Sequence, residues 1–174
     1  MRTLVMGILN VTPDSFADGG RYLEPERAIA RAKEMIDEGV DIIDIGGEST
    51  KPGAERITEA EELARVNEVL TAVIPLGISV SIDTTRSNIA KRAIELGVKY
   101  VNDVSGGLAD PKMYELIAKN PAIQYVIMHW RAPSKTMQEH AQYNDVVREV
   151  KDELEERITS AIEAGVDPDQ IIID

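Results

Sequence analysis

The 174-residue sequence is long enough for one domain with a sizeable core, and its 43% hydrophobic and 29% charged residues are ordinary for a soluble globular protein. A net charge of −12 argues against nucleic acid or an anionic membrane as a partner, and the absence of cysteine excludes disulfides, a thiolate nucleophile and a Cys-ligated metal site. No apolar run approaches the ~20 residues of a membrane span, and Met1 leads into a strand instead of a signal peptide, so we expect a cytoplasmic protein.

Short apolar segments alternate with amphipathic segments along the chain. The sequence predicts strands at about 3–9, 40–45, 78–82, 98–101, 123–128 and 171–173. It predicts helices at about 24–38, 58–73, 87–96, 111–119 and 144–164. The strands are continuous runs rich in Ile and Val, which is typical of parallel strands covered on both faces. The repeated alternation predicts a single α/β domain over residues 1–174, with no linker to divide it.

The second predicted helix has a clear starting signal. Thr58 is the predicted N-cap, with Glu61 at the spacing of a capping box. The acidic side chains around this start are Glu55, Glu59, Glu61 and Glu62. We interpret them as a solvated face that also favours the positive end of the helix.

A polar side chain stands where each predicted strand ends. These residues are Asn10, Asp44, Asp83, Asn102, His129 and Asp174. A glycine pair and then Glu48 follow the second of them. Each residue taken alone is more simply a turn or capping group. Together they would meet at one rim, because the carboxyl ends of parallel strands lie at the same edge in a (β/α)8 barrel and in a doubly wound sheet alike.

The residue types at this rim indicate a ligand that donates hydrogen bonds. Asp and Asn oxygens accept hydrogen bonds, and a carboxylate accepts two parallel bonds from an amidine-like edge. A pterin or a purine has such an edge. The sequence lacks the glycine-rich phosphate loops of nucleoside triphosphatases and dinucleotide-binding proteins, a nucleophile elbow and zinc-type histidine spacing.

The first predicted strand ends in a long polar segment. Residues 10–20 read N-V-T-P-D-S-F-A-D-G-G, and residues of these types favour turns. A βα connection longer than the usual ~2–6 residues is generally functional or disordered. We therefore predict a mobile loop that takes part in function, with a plain surface turn as the simpler alternative.

These motifs resemble the dihydropteroate synthases, the folate-pathway family that sulfonamides inhibit. The resemblance is carried, in the family's order, by M-G-I-L-N-V-T-P-D-S-F-A-D-G-G, G-G-E-S-T-K-P-G, S-I-D-T, V-N-D-V-S-G-G and V-I-M-H-W. It implies a (β/α)8 TIM barrel of the pterin-binding type, present as roughly its first six β/α units. It also implies a transferase that condenses 6-hydroxymethyl-7,8-dihydropterin diphosphate with 4-aminobenzoate, releasing pyrophosphate and 7,8-dihydropteroate, with Mg²⁺ assisting.

The resemblance also implies the site residues. The pterin ring would be bound by Asp83, Asn102 and Asp174, with Met128 packing beside it. The residue that would hold Mg²⁺ or the pyrophosphate is Asn10. The 4-aminobenzoate site would be built by Asp14, Phe16 and Thr50, and the neighbouring Lys51 stands where the family usually has an arginine. The candidate catalytic residues are therefore Asn10, Asp14, Phe16, Thr50 and Lys51.

The length of the sequence bears on how complete the barrel is and on which functions are open to it. A (β/α)8 barrel typically needs ~250 residues and at least ~200. We therefore expect an incomplete barrel that lacks the family's later lysine loop and terminal arginine–histidine segment. Because those segments supply side chains for the pyrophosphate, the alternative function is a non-catalytic pterin-binding or assembly fragment. A pterin-dependent methyltransferase and a nonfunctional scaffold are further alternatives. The implied partners are the two small-molecule substrates and a second copy in a homodimer.

Overall fold

The computed structural model describes residues 2–12 and 24–174, and within them strands and α-helices alternate. The strands are β1 (Met6–Asn10), β2 (Ile42–Gly46), β3 (Ser79–Asp83), β4 (Tyr100–Asp103), β5 (Gln124–Ile127) and β6 (Ile171–Ile173). The helices are α1 (Glu24–Glu38), α2 (Glu59–Val73), α3 (Ser87–Leu96), α4 (Lys112–Ala118) and α5 (Val146–Glu163). None of these described helices is both long and apolar enough to cross a membrane.

The strands form one parallel sheet in the order β1-β2-β3-β4-β5-β6. This consecutive order, with a helix between successive strands, is that of a (β/α) barrel, whereas a doubly wound sheet reverses its order at a switch point. The register aligns the strand ends, since Asn10 pairs with Gly46, Gly46 with Asp83, and Asp83 with Asn102. The strand order thus decides between the two parallel layouts that the sequence left open.

The hydrophobic core lies between the outer face of the sheet and the helices. Its strand residues include Ile43, Ile45, Val80, Ile82 and Val101, each at most 2% exposed. They pack against helix residues that include Ala28, Ala32, Val66, Val69, Leu70 and Ile89. Burial of one such aliphatic side chain contributes roughly 1.5–3 kcal/mol to stability. The core is mainly aliphatic, in agreement with an aromatic content of only 4%.

Helix ends agree closely with their sequence signals. The side chain of Thr58 accepts a hydrogen bond from the N–H of Glu61, and the Glu61 carboxylate accepts one from the N–H of Thr58, which confirms the capping box. Gly39 follows α1 with a φ of 93°, in the left-handed region that glycine enters without a steric penalty. Such local signals are why the predicted helix bounds lie close to the observed ones.

Strand bounds differ more, because β1 to β4 begin and end one or more residues later than predicted. β1 begins at Met6 instead of Thr3, while β3 and β4 extend to include Asp83 and Asp103. Hydrophobicity reports on side chains, whereas a strand is defined by backbone pairing, which continues through polar residues. Asp44 accordingly lies inside β2, near its carboxyl end.

The inner face of the sheet is open at both edges. β1 and β6 are the edge strands, and on this face Ile8 of β1 is 67% exposed and Ile172 of β6 is 37% exposed. In a closed eight-stranded barrel, side chains from the opposite strands fill this interior. The polar ends of the inner face are therefore the part of the sheet that a ligand can reach.

Candidate active site

The carboxyl ends of β1, β2 and β3 enclose a small polar gap. A Cβ added to Gly46 would lie 3.2 Å from Oδ2 of Asp83 and 3.5 Å from Oδ1 of Asn10. Glycine therefore leaves space into which both neighbouring side chains extend. The oxygens of Asn10 and Asp83 thus border the same gap at the mouth of the inner face.

A buried polar pair lies on the same face. Asn102 donates from Nδ2 to Oδ2 of Asp44 over 2.9 Å, and Asp44 is only 4% exposed. Among the described residues, the buried side-chain atoms without a hydrogen-bond partner are Oδ1 of Asp44, Oδ1 of Asn102 and Oγ of Ser81. An unmet buried polar group costs about 1–3 kcal/mol. This set, which we call the acceptor floor, is therefore suited to a ligand that donates hydrogen bonds.

Carboxyl groups crowd this part of the molecule. Burial, together with the charges of Asp44, Asp103 and Glu48, raises the pKa of Asp83 to about 8. Burial also raises the pKa of Asp44, and the neighbouring side chains of Ser81 and Asn102 offset part of that change. A ligand with N–H donors or positive charge would stabilise the charged carboxylates. Such perturbed carboxyl groups in an open cleft favour a functional site.

Met128 and Asp174 follow β5 and β6 at the same rim. The N–H of Asp174 donates to the carbonyl of Ile127 over 3.0 Å and continues the parallel pairing. The charge of Asp174 contributes to the raised pKa of Asp44, so it lies near the acceptor floor. Ile127 packs in the outer core, and the alternation of a strand therefore assigns Met128 to the inner face. The structure brings all the predicted pterin residues to one rim.

A charge network that the sequence interpretation missed holds the loop between β2 and α2. Glu62 of α2 is 1% exposed and accepts hydrogen bonds from Arg86 and from the hydroxyl of Thr84. Arg86 also donates to Glu48 over 2.9 Å and to the carbonyl of Ile57 over 2.6 Å. The start of the loop is thereby tied to its end. We call this set the Glu62–Arg86–Glu48 network.

The prediction that Glu62 belongs to a solvated face is wrong. Its position one turn before Val66 places it on the side of α2 that packs against the sheet. Its buried charge is compensated by Arg86, from the loop after β3. The signal that could have revealed this was periodicity, since Glu62 falls at helical spacing with Val66 and Val69.

The basic residues after β5 are tied to α5. Nε2 of His129 lies 2.9 Å from a carboxylate oxygen of Glu153. Arg131 donates to both Glu153 and Glu149, and its guanidinium carbon lies 3.9 Å from the centre of the Tyr143 ring. His129 is therefore a rim histidine held by hydrogen bonding.

The sequence was compared with those of known protein families. The sequence profile described as pterin binding enzyme matches residues 6–174. The chain belongs to this family.

Named relatives and solved structures support the assignment. The dihydropteroate synthase of Mycobacterium leprae is 47% identical over 171 residues, which are 98% of this chain and 60% of that protein. The Xanthomonas albilineans dihydropteroate synthase with 4-aminobenzoic acid superposes with a TM-score of 0.90 at 38% identity, covering 99% of this chain and 61% of that one. The Clostridium difficile enzyme in the presence of pteroic acid gives a TM-score of 0.89 at 41% identity, covering 99% and 64%.

The chain thus spans about 60% of the length of the relatives it matches. The fold of this chain is a (β/α)8 barrel of the pterin-binding type, represented by the strands β1 to β6 and the helices between them. The expectation of an incomplete barrel agrees with this coverage.

The residues predicted for 4-aminobenzoate lie on loops of this pterin-binding chain. Thr50 and Lys51 are both exposed in the loop between β2 and α2. Thr50 and Trp130 line a small cavity between this loop and the loop after β5, with about 30 Å³ open to the centres of water molecules. Asp14 and Phe16 lie outside the described residues.

Asn10 suits the predicted metal role by its chemistry. Mg²⁺ prefers oxygen ligands and is commonly held by one or two protein oxygens together with water and substrate phosphates. The Asn10 amide is exposed at the end of β1, and Oδ2 of Asp83 lies across Gly46 from it. In residues 2–12 and 24–174 no group of three or more His, Cys, Asp or Glu could form an all-protein cage. The residues therefore fit a Mg²⁺ that is shared with a substrate phosphate.

Proposed function

We propose that this chain carries the activity of a dihydropteroate synthase. The reaction joins 6-hydroxymethyl-7,8-dihydropterin diphosphate to 4-aminobenzoate and releases pyrophosphate. The acceptor floor beside Asp83 carries the proposal, because it offers oxygen acceptors to a ring edge with N–H donors. The names of the relatives and the ligands of the two solved enzymes support it.

In the proposed complex the pterin ring lies against the inner face. Its amino group and the neighbouring ring N–H point the same way, so Asp83 can accept two parallel hydrogen bonds. Oδ1 of Asn102, which has no partner in the structure, accepts a further bond. Asp174 adds a carboxylate at the same rim, and Met128 packs against the ring. Of these groups, Oδ1 of Asn102 is buried without a partner, and a hydrogen bond from the ligand would remove that cost.

The chemical step breaks the bond between the methylene carbon and the diphosphate oxygen and forms a bond from that carbon to the arylamine nitrogen, which then loses a proton. Positive charge develops on the pterin, and the nearby carboxylates of Asp83 and Asp44 stabilise it. Mg²⁺ bound at Asn10 would neutralise charge on the leaving diphosphate. We assign Asp14, Phe16, Thr50 and Lys51 to placing 4-aminobenzoate for attack, which is mainly an orientation effect.

A second candidate function is pterin binding without catalysis. The rim arginines Arg56, Arg86 and Arg131 each form an ion pair with a glutamate. In the part of the chain that the structure describes, Lys51 is the cation of the β2–α2 loop without an acidic partner. A diphosphate would therefore meet little free positive charge, which favours this alternative.

The test is titration of 6-hydroxymethylpterin into the wild-type chain, Asp83→Ala and the control Asp37→Ala, whose side chain is exposed on α1. We expect affinity to fall at least about tenfold in Asp83→Ala and to stay unchanged in the control. Pyrophosphate release with both substrates would support the synthase, and binding without release would support the second candidate. Asp83→Ala with full affinity and turnover, or a wild-type chain that binds no pterin, would contradict the proposal.

Three family expectations remain proposals as well. We propose that the protein acts in the cytoplasm, forms a homodimer and is inhibited by sulfonamides, which would compete with 4-aminobenzoate. Sedimentation velocity measures the oligomeric state, and inhibition that weakens as 4-aminobenzoate concentration rises would show the competition.

A further inference from the structure

The hydrogen bond between Asn102 and Asp44 fixes how the Asn102 amide is oriented. An amide side chain has one donating and one accepting end, whereas a carboxylate only accepts. Because Oδ2 of Asp44 lies 2.9 Å from Nδ2 of Asn102, the reversed amide would place two oxygens in contact. The donating end must therefore face Asp44, and the accepting end must face away from it.

Two oxygens remain free in this arrangement. Oδ1 of Asn102 and Oδ1 of Asp44 are buried and have no partner among the described residues. Ser81 lies on the strand between them, opposite Asp44 in the register, and its unpaired hydroxyl can donate or accept. The two unpaired atoms of this pair are thus both hydrogen-bond acceptors, and neither side chain offers a donor to the ligand.

We propose that Asp44 is a positioning and specificity-determining residue, which holds the Asn102 amide with its oxygen toward the ligand so that the site takes a ring edge with N–H donors. Asp44 acts through Asn102 and does not touch the reacting atoms. The identity of the ring rests on the proposed function. The orientation of the amide rests only on the Asp44–Asn102 contact.

Isosteric exchange of the two side chains tests the proposal. Asp44→Ala removes the acceptor of Nδ2 of Asn102, so an amide that keeps its oxygen toward the ligand leaves its buried donating end unpaired. In the double exchange Asp44→Asn with Asn102→Asp, the new amide at position 44 donates to the new carboxylate at position 102. Both outward atoms are then oxygens again, and the total charge is unchanged.

We expect 6-hydroxymethylpterin affinity to fall about tenfold or more in Asp44→Ala, because binding then leaves the buried donating end of the Asn102 amide without an acceptor. We expect the double exchange to recover affinity to within about threefold of wild type. The melting temperature of the double exchange should stay near that of the wild type, since the hydrogen bond survives. A purely structural role predicts instead that affinity follows stability.

Two results would overturn the inference. One is an Asp44→Ala chain that binds the pterin as tightly as wild type, or a double exchange that binds it no more tightly than Asp44→Ala. The other needs no ligand: side-chain amide protons of Asn102 that exchange with solvent as fast in the wild type as in Asp44→Ala would show that Asp44 does not hold the amide. If the wild-type chain binds no pterin while these protons are protected, the proposed function fails and the positioning role stands.

Discussion

Two buried polar clusters of this chain differ in how completely their hydrogen bonds are satisfied. In the Glu62–Arg86–Glu48 network, every charged group has a partner of opposite charge. In the acceptor floor, atoms of Asp44, Asn102 and Ser81 have no partner in the described structure. Burial is similar, since Glu62 is 1% and Asp44 4% exposed. A buried charge by itself therefore does not mark a ligand site, whereas unmet hydrogen-bonding capacity does.

Neighbouring residues of one motif show the same difference. Asn102 and Asp103 are adjacent in V-N-D-V-S-G-G, but a strand directs successive side chains to opposite faces. Asp103 lies on the outer side and accepts hydrogen bonds from Ser105, Gly107 and Tyr125. The fully bonded aspartate holds the turn after β4, while its neighbour offers a free oxygen to the inner face.

The largest expected effect comes from breaking the satisfied cluster. Arg86→Met leaves Glu62 buried without its cation, and we expect the free energy of unfolding to fall by about 3–5 kcal/mol in urea titrations. The matched control is Arg92→Met on α3, whose arginine is 43% exposed and lies 3.7 Å from Glu95. That surface pair should contribute less than about 1 kcal/mol. Equal losses of unfolding free energy in the two variants would refute the distinction between the buried network and the surface pair.

A gain in stability is expected instead from a substitution at Asp83, which lies beside the acceptor floor. Because the folded pKa of Asp83 is about 8, above its ordinary value of 3.8, the native state holds a proton that the unfolded state has released. This group therefore makes stability fall as pH rises from about 4 to 8, with no further change above that. Asp83→Asn removes this dependence, so its stability advantage over wild type should grow by about 3–4 kcal/mol between pH 5 and pH 8, because each pH unit in this range is worth about 1.4 kcal/mol. A gain that does not grow between pH 5 and pH 8 would contradict the assignment.

The smallest expected effect on stability comes from two glycine substitutions, one on each face of the sheet. In Gly46→Ala the new methyl would lie 3.2 Å from Oδ2 of Asp83, and in Gly7→Ala it would lie 3.2 Å from Sδ of Met35. Both should cost about 1 kcal/mol, since the neighbours must shift by a few tenths of an ångström. Only Gly46→Ala should weaken pterin binding, by about tenfold. Loss of pterin affinity in Gly7→Ala as well would mean that the inner face is not the binding face.

Local signals in the sequence determined much of this protein. The alternation of strands and helices, the Thr58 capping box and the Gly39 terminus depend on neighbouring residues, so they can be read from the chain directly. The polar residues at the strand ends could be collected in the same way, because parallel strands place their carboxyl ends together. Residues in the segment after β1, including Asp14 and Phe16, stay predictions.

Tertiary structure alone decided which of these polar residues are free to meet a ligand. Asp44 and Asn102 are 58 positions apart and meet only because β3 brings their strands into register. Glu62 looked like its solvated acidic neighbours until the packing of α2 buried it beside Arg86. Burial, and the partners that satisfy or do not satisfy a buried group, are set by contacts between distant segments. A sequence lists the polar groups, and only the packed fold determines which of them are left without a hydrogen bond.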